Sequence, residues 1–216
     1  MIELSDIPKN VPTKVSEADF KRLVASVGSK AFHKAYAEQV PIRDDEEGSY
    51  VLVCDGVWEQ TLISPDLNML IIGDVKAPFV SARDPSGAEM GHFIIIGNVE
   101  CDYFENEWGK QVFIDGNLTV NKILNDACGD SSFVVINDLY AEFYLAINAW
   151  VQFGGDVSLK YGIGYAFPLN YKSAKEAVDP EHSPEESAAF LGTTVEDIEQ
   201  GDFMVETFQA LHQDNT

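Results

Sequence analysis

The sequence predicts a mainly β protein, a right-handed parallel β-helix solenoid of about six coils with flanking N- and C-terminal α-helices. Three observations carry that expectation. First, an aliphatic run, a Gly or Asn with an acidic or amide neighbour, and a Val or Leu recur six times, as in Met69-Leu-Ile-Ile-Gly-Asp-Val75 and Phe93-Ile-Ile-Ile-Gly-Asn-Val99. Second, the closing residues Val57, Val75, Val99, Leu118, Leu139 and Val157 stand 18, 24, 19, 21 and 18 residues apart, too close for helical repeats of roughly 33 to 47 residues. Third, apolar positions alternate within each unit, as strands require. A unit that cannot bury its own apolar side buries it against its neighbours, so the units stack.

Along the chain, residues 1–48 form an N-terminal helical cap. Ser16-Glu-Ala-Asp19 reads as a capping box, and Phe20, Leu23, Val24 and Val27 follow at helical spacing. The helix should cap or flank the first coil, and His33 falls within it. Residues 49–169 form the solenoid. Six residues before each closing position stand Val51, Met69, Phe93, Val112, Phe133 and Val151, and four before stand Val53, Ile71, Ile95, Ile114, Val135 and Phe153. These line one buried face. Two residues beyond the closing position, Ala77, Cys101, Val120, Ala141 and Leu159 continue it, with Glu59 the exception in the first unit.

The corner pairs, such as Gly73-Asp74, Gly97-Asn98 and Gly116-Asn117, suit a sharp turn, because Gly and Asn tolerate positive φ and Asx side chains bond nearby backbone. A carboxylate ladder for metal or sugar is the competing reading, weakened by the amides among these positions. A left-handed hexapeptide helix would keep an aliphatic residue every six positions. Val57, Ile63, Met69 and Val75 begin that way, and Ser81, Gly87, Glu105 and Gln111 break it. Insertions rich in Gly, Pro, Asp and Ser are expected at 82–91 and 125–132.

Positions five and three before the closing residue face outward yet are apolar: Leu52, Leu70, Ile94, Phe113 and Val134, then Ile72, Ile96 and Ile136. A stripe of that length is rarely left in water. Either the chain's own flanking segments or another molecule covers it. Residues 170–216 supply candidates as an acidic C-terminal helical segment. Ser183-Pro-Glu-Glu starts one helix that Gly192 should stop, and Thr194-Val-Glu-Asp197 starts another carrying Ile198, Phe203, Val205, Phe208 and Leu211.

Charge bounds the partners. The formal net charge is −22. Residues 1–48 carry 7 basic and 9 acidic side chains, residues 49–169 carry 5 and 16, and residues 170–216 carry 2 and 11. Such a surface repels nucleic acid and attracts basic proteins, and it also keeps a long sheet soluble. No apolar run reaches the roughly 18 residues of a membrane span, and the N-terminus lacks the pattern of an export signal. Cys54, Cys101 and Cys128 lack metal spacing and read as buried free thiols in a reducing cytoplasm.

Catalytic chemistry finds little material. Polysaccharide-cleaving β-helices need converging carboxylates, but the coils hold five basic residues at unrelated repeat positions: Lys76, Arg83, Lys110, Lys122 and Lys160. No phosphate loop or nucleophile motif occurs. His92 could serve a left-handed acyltransferase, a reading the failed hexapeptide register disfavours. No catalytic, cofactor-binding or metal-ligating residue is expected. The better candidates are aromatics among acids. Asp102, Glu105, Glu107 and Trp108 share one loop region, and Glu142, Tyr144 and Trp150 follow one to two coils later. Aromatic side chains framed by carboxylates suit a basic protein partner.

The phrases Val-Phe-Ile-Asp-Gly-Asn-Leu-Thr-Val (112–120), Val-Val-Ile-Asn-Asp-Leu-Tyr-Ala (134–141) and Phe-Gly-Gly-Asp-Val (153–157) resemble those of bacterial β-helical proteins of the polymer-forming, bactofilin-like type. Many of these are similar to immunity proteins associated with polymorphic toxins. The resemblance implies a cytoplasmic protein that masks a cognate, basic toxin domain. It also leaves open a scaffold that self-assembles into homo-oligomers. A carbohydrate-active β-helix enzyme is the third expectation.

Overall fold

The computed structural model describes residues 2–38, 48–64, 68–83, 91–106, 110–126, 132–147, 150–164 and 180–214. The repeat becomes a β-solenoid of about five turns, each coil giving one strand to either side of an Asx corner. One sheet runs β1 (Thr13–Val15), β2 (Ser49–Val53), β4 (Asn68–Ile72), β6 (His92–Ile96), β8 (Gln111–Ile114), β10 (Ser132–Val135) and β12 (Trp150–Phe153). The other runs β13 (Val157–Gly164), β11 (Leu139–Ala146), β9 (Leu118–Asp126), β7 (Val99–Glu105), β5 (Val75–Ser81) and β3 (Leu62–Ile63). Every named pairing is parallel except β1 on β2.

Register follows the repeat from the second coil onward. Val75, Val99, Leu118, Leu139 and Val157 stack in one column, and Ala77, Cys101, Val120, Ala141 and Leu159 in the next. Met69, Phe93, Val112, Phe133 and Val151 face them across the interior. Phe104, Phe133 and Phe153 meet edge to face inside this core.

The first coil departs from the expected register. Tyr50 pairs with Met69 and Leu52 with Ile71, so Leu52 points inward while Val51 and Val53 point outward. Trp58, not Val57, bridges Val75, and Val57 is 50% exposed. The corner holds two more residues than the repeat suggests. Because strand side chains alternate with period 2, a one-residue slip moves each to the opposite face. It also explains why Glu59 broke the interior column.

The outward apolar stripe is covered by the chain itself. Helices α1 (Glu17–Ser26) and α2 (Lys30–Ala37) lie on the first sheet, with Phe20, Leu23, Val24, Phe32 and Ala35 packed on Val51, Val53, Leu70, Ile94, Phe113 and Val134. Ser16 caps α1 as expected. His33 lies in α2, a second helix that Ser29 caps, and not in the first. Burying Phe113 alone contributes about 1.5–3 kcal/mol.

On the second sheet, further outward residues, Phe79, Ile123 and Phe143 in one column and Leu145 beside Ile163 in another, are covered by Ala188, Ile198, Met204 and Phe208. These belong to α3 (Pro184–Leu191), α4 (Val195–Gln200) and α5 (Asp202–Asp214). Ser183 and Thr194 each close a capping box. The single helix expected after Thr194 is broken at Gly201, whose φ of 89° ends α4, and Val205 is 42% exposed. The insertion expected at 82–91 lies mainly outside the described residues. That at 125–132 is shorter than anticipated, since β9 runs through Asp126 and β10 begins at Ser132.

Cys101 is a buried free thiol in the core and Cys54 a partly buried one. Burial pushes both thiols up, with Asp74 adding to the effect at Cys54. Cys128 lies outside the described residues. No described helix is long and apolar enough to cross a membrane.

Candidate partner-binding surface

The corner ladder is a backbone device. Asp74 Oδ1 accepts from Asn98 N at 2.7 Å, Asn98 Oδ1 from Asn117 N at 3.0 Å, Asn117 Oδ1 from Asp138 N at 3.1 Å and Asp138 Oδ1 from Asp156 N at 2.8 Å. Each Asx side chain thus satisfies the coil that follows, which is the turn role. Among the described residues no group of three His, Cys, Asp or Glu side chains is placed to hold a metal ion.

The aromatic and acidic residues chosen from the sequence separate. Glu105 is fully buried: its Oε2 accepts from Ser81 Oγ at 2.5 Å and lies 2.7 Å from His212 Nε2, with Arg83 Nη1 3.9 Å from Oε1. It fastens α5 to β5 and β7 and presents nothing to a partner, which corrects its assignment. Tyr144 is likewise fully buried. The column past the closing position turns inward there, and its hydroxyl donates to Asp126 Oδ2 at 3.1 Å. Burial holds that phenol well above its ordinary range.

Asp102 remains at the surface, paired with Lys122 Nζ at 3.0 Å. Trp150 is 57% exposed, but it starts β12 and so belongs to the other sheet. Glu107 and Trp108 lie outside the described residues. The five described residues therefore do not form one patch.

What the structure does bring together surrounds Glu142. Its Oε1 accepts from Lys160 Nζ at 2.6 Å and its Oε2 from Tyr140 Oη at 2.9 Å. The Lys160 ammonium holds the Glu142 carboxyl below the usual carboxylate range, and Glu142 in turn raises Lys160 and Tyr140. Lys160 Nζ also lies 5.4 Å from the Tyr161 ring centroid. Tyr161 stacks with His182 at 4.4 Å and 16°, and with Phe190 at 4.2 Å and 8°. Two rings so nearly parallel to a third at these separations occupy its opposite faces.

The three-ring stack is anchored to β13. His182 N donates to Lys160 O at 3.1 Å, Glu181 N to Leu159 O at 3.0 Å, and Gly162 N to Ser187 Oγ at 3.0 Å. Glu186 completes the group. Its Oε2 accepts from Ser183 N at 2.9 Å and stands 3.6 Å from His182 Nδ1, and the Ser183 backbone bond draws its carboxyl below the usual range. Phe190 is 47% exposed and Tyr140 38%.

The Glu142–Lys160 pair, missed by placing Lys160 at an unrelated repeat position, was legible all the same, because the two stand 18 residues apart, the same as Leu139 and Val157 of that coil. The stack on Tyr161 was not, since no local spacing aligns it with a distant helix. A cleft of about 180 Å³ between α2 and the ends of β10 and β12, lined by Lys34, Glu38, Ile136, Gln152 and others, is smaller than the roughly 300–1,000 Å³ of most small-molecule sites. No family model, curated protein or solved structure matches the chain.

Proposed function

We propose that this chain is an immunity-type protein that binds and masks a cognate, basic toxin domain in the cytoplasm. The observation that supports it is the C-terminal helical layer. Residues 180–214 carry nine carboxylates and no Lys or Arg, and they sit beside an exposed aromatic stack. Anionic surface of this kind speeds encounter with a basic protein, and exposed rings give the contact its energy.

The same reading takes the solenoid as right-handed with about six coils. Variable coil lengths support that handedness, since a strict hexapeptide register would forbid them. The scaffold alternative draws less support. β1 lies antiparallel on β2 and closes that edge of the first coil, where end-to-end assembly would need an open parallel edge.

Co-expression with the product of the adjacent gene, followed by affinity capture and a growth assay, tests the proposal. A stable complex and rescue of growth are expected. Absence of both overturns it.

A further inference from the structure

Resting on the partner-binding reading, we propose that the docking surface is the open face of Phe190 at the end of the stack, and that its occupant is an arginine-bearing basic segment of a protein partner. Half of the argument is geometric. One face of Phe190 lies on Tyr161 at 4.2 Å, yet the residue stays 47% exposed. The ring is not held out by a loose loop. Its helix is fixed to the solenoid through Ser187, whose Oγ accepts from Gly162 N at 3.0 Å and donates to Ser183 O at 2.8 Å. A rigid ring that keeps one face in water loses little conformational entropy on binding.

The other half is charge. Glu186 stands four residues before Phe190 on α3, so the two share a helix face. The Glu186 side chain is 63% exposed. Glu185 is exposed beside it. The Glu186 carboxylate is turned back to Ser183 N and His182, across the stack from the open face of Phe190, so the acidic surface attracts the cation by its field and the ring makes the contact. A guanidinium is planar and can lie flat on Phe190, which an ammonium cannot do. A second copy of the chain does not fit, because each copy carries a formal charge of −22 and would present carboxylates to carboxylates. Nucleic acid is excluded on the same ground.

The test uses the full chain and two probes, a hexa-arginine and a hexa-lysine peptide, followed by calorimetry and by backbone amide shifts in NMR. The arginine peptide is expected to bind more tightly, with shifts centred on residues 160–162 and 181–191. Phe190→Ala should weaken it about three- to fivefold, the scale of an exposed cation–π contact, and bring the two peptides level. Phe190→Tyr, which keeps the ring, should bind as the parent does. Asp55→Asn with Glu59→Gln, in the first coil, should leave the preference intact.

Equal affinity for both peptides overturns the assignment, as do shifts centred on the Asx corner or a Phe190→Ala protein that is folded by circular dichroism yet unaffected. The adjacent-gene product separates the two claims. If Phe190→Ala captures it as well as the parent does, the surface is wrong and the masking function stands. If the parent neither captures it nor rescues growth, the masking function fails whatever the peptides do.

Discussion

Glu142 and Glu105 are both carboxylates on the second sheet, and their surroundings give them different work. Glu105 is enclosed by Ser81, His212 and Arg83 and serves as an internal fastener. Glu142 is paired at the surface between Lys160 and Tyr140. Lys160 lowers the Glu142 value in the folded state, so ionised Glu142 stabilises the fold above the unfolded-state carboxylate range. That stabilisation is lost as pH falls through the lower folded value. Thermal melts of Glu142→Gln should therefore start below the parent at pH near neutrality and converge with it in acid. A gap that is constant with pH would show that Lys160 is not the cause. The acidic and aromatic letters around 102–108 and 142–150 were readable as a cluster in sequence. Burial divides them, and burial depends on which column of the coil each residue enters.

At the scale of elements, the corner is the tightest point of the design. A Cβ on Gly116 would stand 2.2 Å from the carbonyl oxygen and 2.6 Å from the carbonyl carbon of Gly97, one coil away. The neighbour is backbone and cannot turn aside. Gly116→Ala should cost about 1–3 kcal/mol, the range of overpacked core positions, read from the midpoint of urea unfolding. An unchanged midpoint would mean that the coils can spread at that corner. The strand pattern made the corner legible through the recurring Gly-Asx pair. It did not reveal the extra residue in β9, where the register shifts between Val120 and Ile123 against Cys101 and Tyr103. That bulge exposes Asn121 and Lys122 and lets Lys122 reach Asp102 at 3.0 Å. The insertion shifts the phase of the pattern: four residues past the closing position stand Phe79, Tyr103, Phe143 and Tyr161, with Lys122 the exception, and only the pairing of Ile123 with Tyr103 and Phe143 identifies that exception as a bulge.

Across the whole molecule, the solenoid has two faces that would be insoluble alone, and a set of helices lies on each. The N-terminal pair covers the first sheet and the C-terminal three cover the second. The latter carry the excess of carboxylates outward. A formal charge of −22 opposes compaction through self-repulsion, and salt screens it. The melting temperature at neutral pH should therefore rise as NaCl is increased from about 20 mM to about 500 mM, by more than in a protein of balanced charge. A fall over that range would mean that ion pairs such as Lys76–Glu100 at 2.8 Å and Lys160–Glu142 at 2.6 Å outweigh the repulsion.

By itself the sequence determined the stacked coil, the column order from Val75 to Val157, the capped helix starts at Ser16, Ser183 and Thr194, and the turn role of the Asx pairs. All of these rest on residues within one coil or one helical turn of each other, where spacing translates directly into geometry. Only the tertiary structure decided that Leu52 faces inward, that Glu105 and Tyr144 are enclosed, and that Phe190, Tyr161 and His182 share one stack. Those outcomes depend on the length of a single corner and on where distant helices land, and neither quantity is encoded in a local period.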